Sequence, residues 1–153
     1  MQLYKAFSLL FCLVLFSCNQ STNNSNSADI KLNPKVDSLY KLVVAKHDEV
    51  MPKDKDIMKL LKTLRQMLET EKDISRKEKI LNLVQVLQSG HNAMFDWMRD
   101  FKNLHLDQKF YENKSEKELL DYLSAEEVNI ERVAKLMLEG IGDAELFLKN
   151  INK

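Results

Sequence analysis

Apolar residues recur along this chain in alternating steps of three and four. One stripe runs Val36, Tyr40, Val43, His47, Val50, Asp54, Ile57, Leu61, Leu64 and Leu68, the spacing of a helix that lays one seam against its neighbours. Two polar residues, His47 and Asp54, interrupt it. A second stripe holds Ile80, Val84, Leu87, His91, Met94, Met98 and Phe101, and a third Leu119, Leu123, Glu126, Ile130, Val133, Met137, Ile141, Ala144 and Leu148. The pattern predicts an all-α fold, an elongated antiparallel bundle of three long helices running up-down-up.

The punctuation agrees. Asn33-Pro34 is a cap residue followed by proline at the first helical position. "SRKE" (Ser75 to Glu78) and "SEKE" (Ser115 to Glu118) read as capping boxes that open helices 2 and 3. Pro52 removes an amide donor and crowds the carbonyl of Asp48, so helix 1 is expected to kink or break there. Asp54 and Asp56 suit the positive first turn of a helix restarting after it. Gly140 and Gly142 each weaken helix 3 by about 1 kcal/mol relative to alanine, which favours a kink or fraying in its last third. "SAEE" (Ser124 to Glu127) offers an alternative start that makes four elements out of three.

The N-terminal residues carry a different signal. Lys5 precedes an almost unbroken apolar run, Ala6 to Phe16, of the length of a secretory h-region and too short for a permanent membrane span. It ends in "LFSC" (Leu15 to Cys18), which resembles the lipobox of bacterial lipoproteins, whose cysteine becomes the first, lipidated residue of the mature chain. The expectation is a signal peptide over 1–17, a lipidated Cys18 with a flexible Asn/Ser tether over 18–32, and a helical domain over 33–153. The membrane partner is then reached through the lipid anchor, on the periplasmic or surface side of the outer membrane. Cys12 is the only other cysteine, so processing leaves one thiol and excludes a disulfide or a cysteine-based metal site within the chain.

Charge excludes a further class. Lys plus Arg and Asp plus Glu both number 23, for a formal net charge of +0, and the signs are interspersed, which argues against nucleic acid as a partner. The chain has no glycine-rich phosphate loop, no His-Glu-x-x-His, no nucleophile elbow and no paired-carboxylate or Ser/His/Asp arrangement. No enzymatic activity and no resident cofactor are expected.

Candidate chemistry concentrates in "HDEVMPKDKDIM" (47–58) and "HNAMFDWMRDF" (91–101). In a hairpin that turns near residues 72–74, residues at equal height have numbers summing to about 146, and residues one turn apart share a face. His47 and Met51 then lie level with Met94 and Met98, with Trp97 at the rim and His91 beside Asp54. Thioethers and imidazole select Cu(I) and Ag(I), and a tryptophan face accepts a monovalent cation. His47, Met51, Met94, Met98 and Trp97 are therefore candidate soft-metal ligands, with Cu(I) the cofactor on that reading and His91–Asp54 a second-layer or structural pair. The competing reading makes the methionines core fillers, since methionine adapts to irregular gaps. A haem held by His and Met lacks the Cys-x-x-Cys-His attachment signal.

"HDEVMPK" and "MFDWMRDF", behind a lipobox and an Asn/Ser tether, also resemble a group of short lipoproteins from Bacteroidetes-type bacteria often labelled "viral A-type inclusion protein". The resemblance implies a helical lipoprotein and no defined activity. Together with the residue patterns it leads to the expectation of a non-enzymatic binding or structural module for an envelope protein partner, with soft-metal binding as the alternative. An exposed Trp97, Phe95 and Phe101 patch favours the partner; buried, inward-facing His47 and Met98 favour the metal.

Overall fold

The computed structural model describes residues 31–151, and every regular element among them is helical. The segments expected to be a signal peptide (1–17) and most of the expected lipidated tether (18–32), Cys18 included, lie outside the described residues. Where three long helices are expected, there are five: α1 (Pro34–Val50), α2 (Asp54–Thr70), α3 (Ile74–Asp100), α4 (Gln108–Glu112) and α5 (Glu116–Ile151), with a 3-10 turn at Met51–Lys53 between α1 and α2. None of them is long and apolar enough to cross a membrane.

Local chemistry accounts for most boundaries. The Asn33 side chain accepts from the Lys35 amide at 2.9 Å, with Pro34 at the first helical position and Asp37 in the first turn. At Pro52 the missing amide removes one rung of the α-helical ladder. The chain responds by tightening into one 3-10 turn without leaving right-handed helical dihedrals, from Val50 (φ −99°, ψ −32°) to Asp54 (φ −57°, ψ −34°). α2 then continues with Asp54 and Asp56 in its first turn.

The second helix starts earlier than the "SRKE" box implies. Its cap is Asp73, whose carboxylate accepts from the Arg76 amide at 2.8 Å, while Glu71 accepts from the Lys72 and Asp73 amides. A carboxylate standing two residues before Ser75 satisfies the first free amides, so Ser75 falls inside the first turn. The "SEKE" box forms: the Ser115 amide and hydroxyl both donate to the Glu118 carboxylate, at 2.9 and 2.7 Å. The Ser115 amide holds the Glu118 carboxyl down at about 2. α5 runs unbroken through Ser124, Gly140 and Gly142, so no separate helix starts at Ser124 and the glycines do not end it early.

α5 packs against α3 and α1, and α2 packs against α3 and α5. Its buried residues follow the expected stripe, from Leu119 and Leu123 to Met137, Ile141 and Ala144, with Ala134 and Gly140 added. In α1 and α2, Val36, Tyr40, Val43, Val50, Ile57, Leu61 and Leu64 are buried as the stripe implies, joined by Leu60.

α3 departs from its stripe. The buried positions are Ile80, Leu83, Leu87, Gly90, Met94, Trp97 and Phe101, so Leu83, Gly90 and Trp97 replace Val84, His91 and Met98. Both stripes share Ile80, Leu87, Met94 and Phe101 and differ in which way the intermediate turns face. Gly90 is part of the reason: a Cβ there would lie 3.3 Å from Met137 Cα, so the absent side chain lets α5 approach the α3 backbone.

Candidate functional site

The end of α1, the end of α3 and the connection between α3 and α4 enclose a cavity of about 360 Å³. Its walls include Val44, His47, Asp48, Trp97, Met98, Phe101, Leu106 and Asp107. Arg99 stands at its rim with its charge engaged by Asp96 at 2.7 Å and Asp100 at 3.0 Å, so it is not free to hold an anion. The walls carry one imidazole and one thioether, and the lining residues include no hydroxyl, thiol or lysine amine.

His47 projects from the last turn of α1 onto the Trp97 ring, with centroids 5.5 Å apart and planes 25° from parallel. Phe101, one turn after Trp97, also stacks on it at 4.7 Å. The π surface expected to face a metal ion is therefore spent on neighbouring rings. His47 Nδ1 lies 2.9 Å from Asp48 Oδ1. Nε2 is buried and has no hydrogen-bond partner.

The five candidate ligands are not gathered together. His47, Trp97 and Met98 share the cavity; Met51 packs against the core, and Met94 is 0 % exposed at its centre. Met98 is 41 % exposed, because the stripe of α3 that turns inward carries Trp97 in its place. Among the described residues no group of three or more His, Cys, Asp or Glu side chains is assembled to hold a metal ion. His91 and Asp54 do meet, with Nδ1 at 2.7 Å from Oδ1 across α2 and α3, and the His91 ring lies 4.7 Å from Phe95. The exposed aromatic patch is not assembled either: Phe95 is exposed, whereas Trp97 and Phe101 are buried.

Beside the cavity stands a feature the apolar periodicity does not reveal. The Lys102 amide donates to the Tyr122 hydroxyl at 2.6 Å, the Leu104 amide donates to the Tyr40 hydroxyl at 3.2 Å, and the Tyr111 hydroxyl donates to the Lys102 carbonyl. Tyrosines from α1, α4 and α5 thus hold the backbone of one short connection. Burial pushes the Tyr122 hydroxyl up to about 12 against the pull of the Lys102 amide, and raises Tyr111 as well, so both stay protonated at neutral pH. Within the loop the Asn103 amide donates to Asp107, the His105 amide to the Asn103 side chain, and the Leu106 and Asp107 amides to the Asn103 carbonyl. A signal was present in the sequence, since three of the chain's four tyrosines take part. Their positions 40, 111 and 122 do not show that they converge.

Glu126 stands half-buried on α5. Burial raises its pKa; the Trp97 indole and Asn129 favour the ionised form and offset part of the rise. Trp97 Nε1 itself lacks a partner at hydrogen-bonding distance, so the indole–carboxylate contact is a long one. An acid whose folded pKa lies above its unfolded value lends stability below the unfolded value and loses it as pH rises through the folded one. Glu126→Gln is therefore expected to raise the unfolding midpoint at neutral pH and to leave it unchanged below about pH 3, where the carboxyl is protonated in both states. Urea unfolding at the two pH values measures this; an equal shift at both would assign the effect to packing.

No protein-family model matches this chain, and no curated protein or solved structure does either.

Proposed function

We propose that this chain is a non-enzymatic binding module of the bacterial cell envelope, anchored through a lipid on Cys18, that engages an envelope protein at the connection between α3 and α4. On this reading residues 34–70, 74–100 and 116–151 act as three antiparallel arms of an elongated bundle, and the contact of the Leu104 amide with Tyr40 keeps the recognition loop at the end of the bundle where α1 begins, close to the anchor.

The supporting observation is Leu106, which is 86 % exposed in a loop whose backbone is held by three tyrosine hydroxyls. A large apolar side chain on a mobile loop is ordinary. On a braced loop it is a preorganised contact, because little conformational entropy remains to be lost on binding. The cavity beside it, floored by Trp97 and Phe101, suits an apolar side chain of the partner.

Photo-crosslinking in cells tests the proposal. A benzophenone amino acid at position 106 is expected to give one discrete adduct with an envelope protein. The same group at Ile74, which is 76 % exposed at the start of α3, should not give it. No adduct at 106, or the same adducts at both positions, would overturn the assignment of the surface. Fractionation of the same cells tests the anchor: the parent chain should partition with membranes and Cys18→Ala should accumulate as a slower-migrating precursor, whereas unchanged processing with the chain in the soluble fraction would overturn it.

A further inference from the structure

We propose that the uncovered seam between α2 and α3 is the interface for a second copy of this chain, docked antiparallel about a two-fold axis. The proposal stands without the lipid anchor and without a protein partner at the connection between α3 and α4.

Two contacts between the helices mark the seam: His91 Nδ1 lies 2.7 Å from Asp54 Oδ1, and Arg65 donates to the Gln88 side chain at 2.8 Å. α5 meets α3 at Val86 and Gly90, on the other side of that helix, and leaves this side open. Met58 stands one turn after Asp54 and is 47 % exposed; Phe95 stands one turn after His91, its ring 4.7 Å from the imidazole, and is 43 % exposed. Met98, three residues after Phe95, is exposed as well. Large apolar side chains in succession along one seam form a contact surface and not scattered exposure, and methionine shapes itself to whatever it meets.

Charge names the occupant. At the end of the seam nearest the connection between α3 and α4 it is negative: Asp48, with its side chain 68 % exposed, and Asp107 line the cavity there, and Arg99 is outnumbered by Asp96 and Asp100. Along α2 it is positive. Among the described residues the ion pairs that reach α2 are Lys53–Asp56 and His91–Asp54, so Lys55, Lys62 and Arg65 have no carboxylate partner, and Glu69, one turn past Arg65, offsets a single one of these charges. An anionic membrane or an acidic segment laid along the seam meets repulsion at the Asp48 end. A second copy turned end for end does not: its basic stretch falls on Asp48 and its Asp48 falls on the basic stretch, the self-complementary contact of an isologous dimer. Asp48 and Arg65 are seventeen residues apart, about 25 Å of helix. The midpoint falls beside Asp54 and Met58, which puts the apolar side chains at the two-fold axis and lets the Lys55 stem lie over them with its ammonium at the rim.

The test is sedimentation of the full-length chain under reducing conditions, which keep Cys12 and Cys18 from linking copies. The parent should be a dimer that dissociates as salt rises. Lys62→Glu with Arg65→Glu makes both ends of the seam acidic, and Asp48→Lys makes both basic. Each should weaken dimerisation by about 100-fold or more, because like charges then face each other. Mixed in equal amounts, the two variants should form a heterodimer as tight as the parent pair, which also shows that both are folded. Phe95→Glu should leave a monomer, whereas Val128→Glu, at a 68 % exposed position of α5 outside the seam, should leave the dimer intact. Association through the apolar run over 6–16 persists in every variant and does not mimic this rescue. The proposal is overturned by a monomeric parent, by a dimer that survives both charge reversals, by a mixture that stays monomeric, or by an equal loss in Val128→Glu. A monomeric parent that sediments with phosphatidylglycerol vesicles, and ceases to do so with Lys62→Glu and Arg65→Glu, would give the seam to a membrane instead.

Discussion

Met94→Ala is expected to lower the unfolding free energy by about 2–5 kcal/mol, the range for truncating a fully buried large side chain in a core that relaxes only in part. Met94 is 0 % exposed and belongs to the central cluster with Ile57, Leu87 and Met137. Met94→Leu nearly conserves volume and should cost less than about 1.5 kcal/mol. Met98, four residues on, is 41 % exposed, so its truncation should cost far less than that of Met94. A Met94→Ala chain as stable as the parent would mean that the packing at the centre of α3 is wrong.

The glycines make the second large contrast. At Gly90 an added Cβ meets Met137 Cα at 3.3 Å and Met137 Cγ at 3.4 Å. The nearest obstacle is backbone, so α3 and α5 must separate slightly to admit it. Alanine gains up to about 1 kcal/mol of helix propensity, against an overpacking cost of about 1–3 kcal/mol, and a net loss is expected. At Gly142 an added Cβ has nothing within 4 Å, so Gly142→Ala should keep the whole propensity gain of about 1 kcal/mol. Thermal unfolding of both variants measures the difference, which should carry opposite signs. A stabilising Gly90→Ala would show that α5 does not approach the backbone of α3 there.

These glycines mark where reading the chain stopped. By propensity alone Gly140 and Gly142 weaken a helix, and nothing local distinguishes them. In the structure Gly140 is buried, and a Cβ there would meet Val86 Cγ1 at 3.1 Å, while Gly142 faces open space. The difference is one of neighbours, which propensity does not contain. The same holds for α3. Its two candidate stripes share every seventh residue, Ile80, Leu87, Met94 and Phe101, and hydrophobicity favoured Val84 and Met98 in between. The inward stripe instead contains a glycine and the tryptophan, because α3 must fit α2 and α5 together, and close approach at Gly90 outweighs the smaller apolar gain of turning His91 inward.

What the sequence determined by itself was local: the all-helical character, the Asn33 cap, the Ser115–Glu118 box, the interruption at Pro52 and the buried stripes of α1, α2 and α5. Each follows from interactions within a turn or two of chain, or from a period long enough to average over exceptions. The pairing of His91 with Asp54 was legible as well, since a short connection between two helices sets their register. Only the tertiary structure decided which face of α3 turns inward, that Met94 is core while Met98 borders a cavity, that His47 and Phe101 both stack on Trp97, and that Tyr40, Tyr111 and Tyr122 meet on one loop. Those outcomes depend on contacts between residues up to 71 positions apart, Tyr40 and Tyr111, whose geometry is set when three or more elements pack at once, and no pattern within a single helix encodes it.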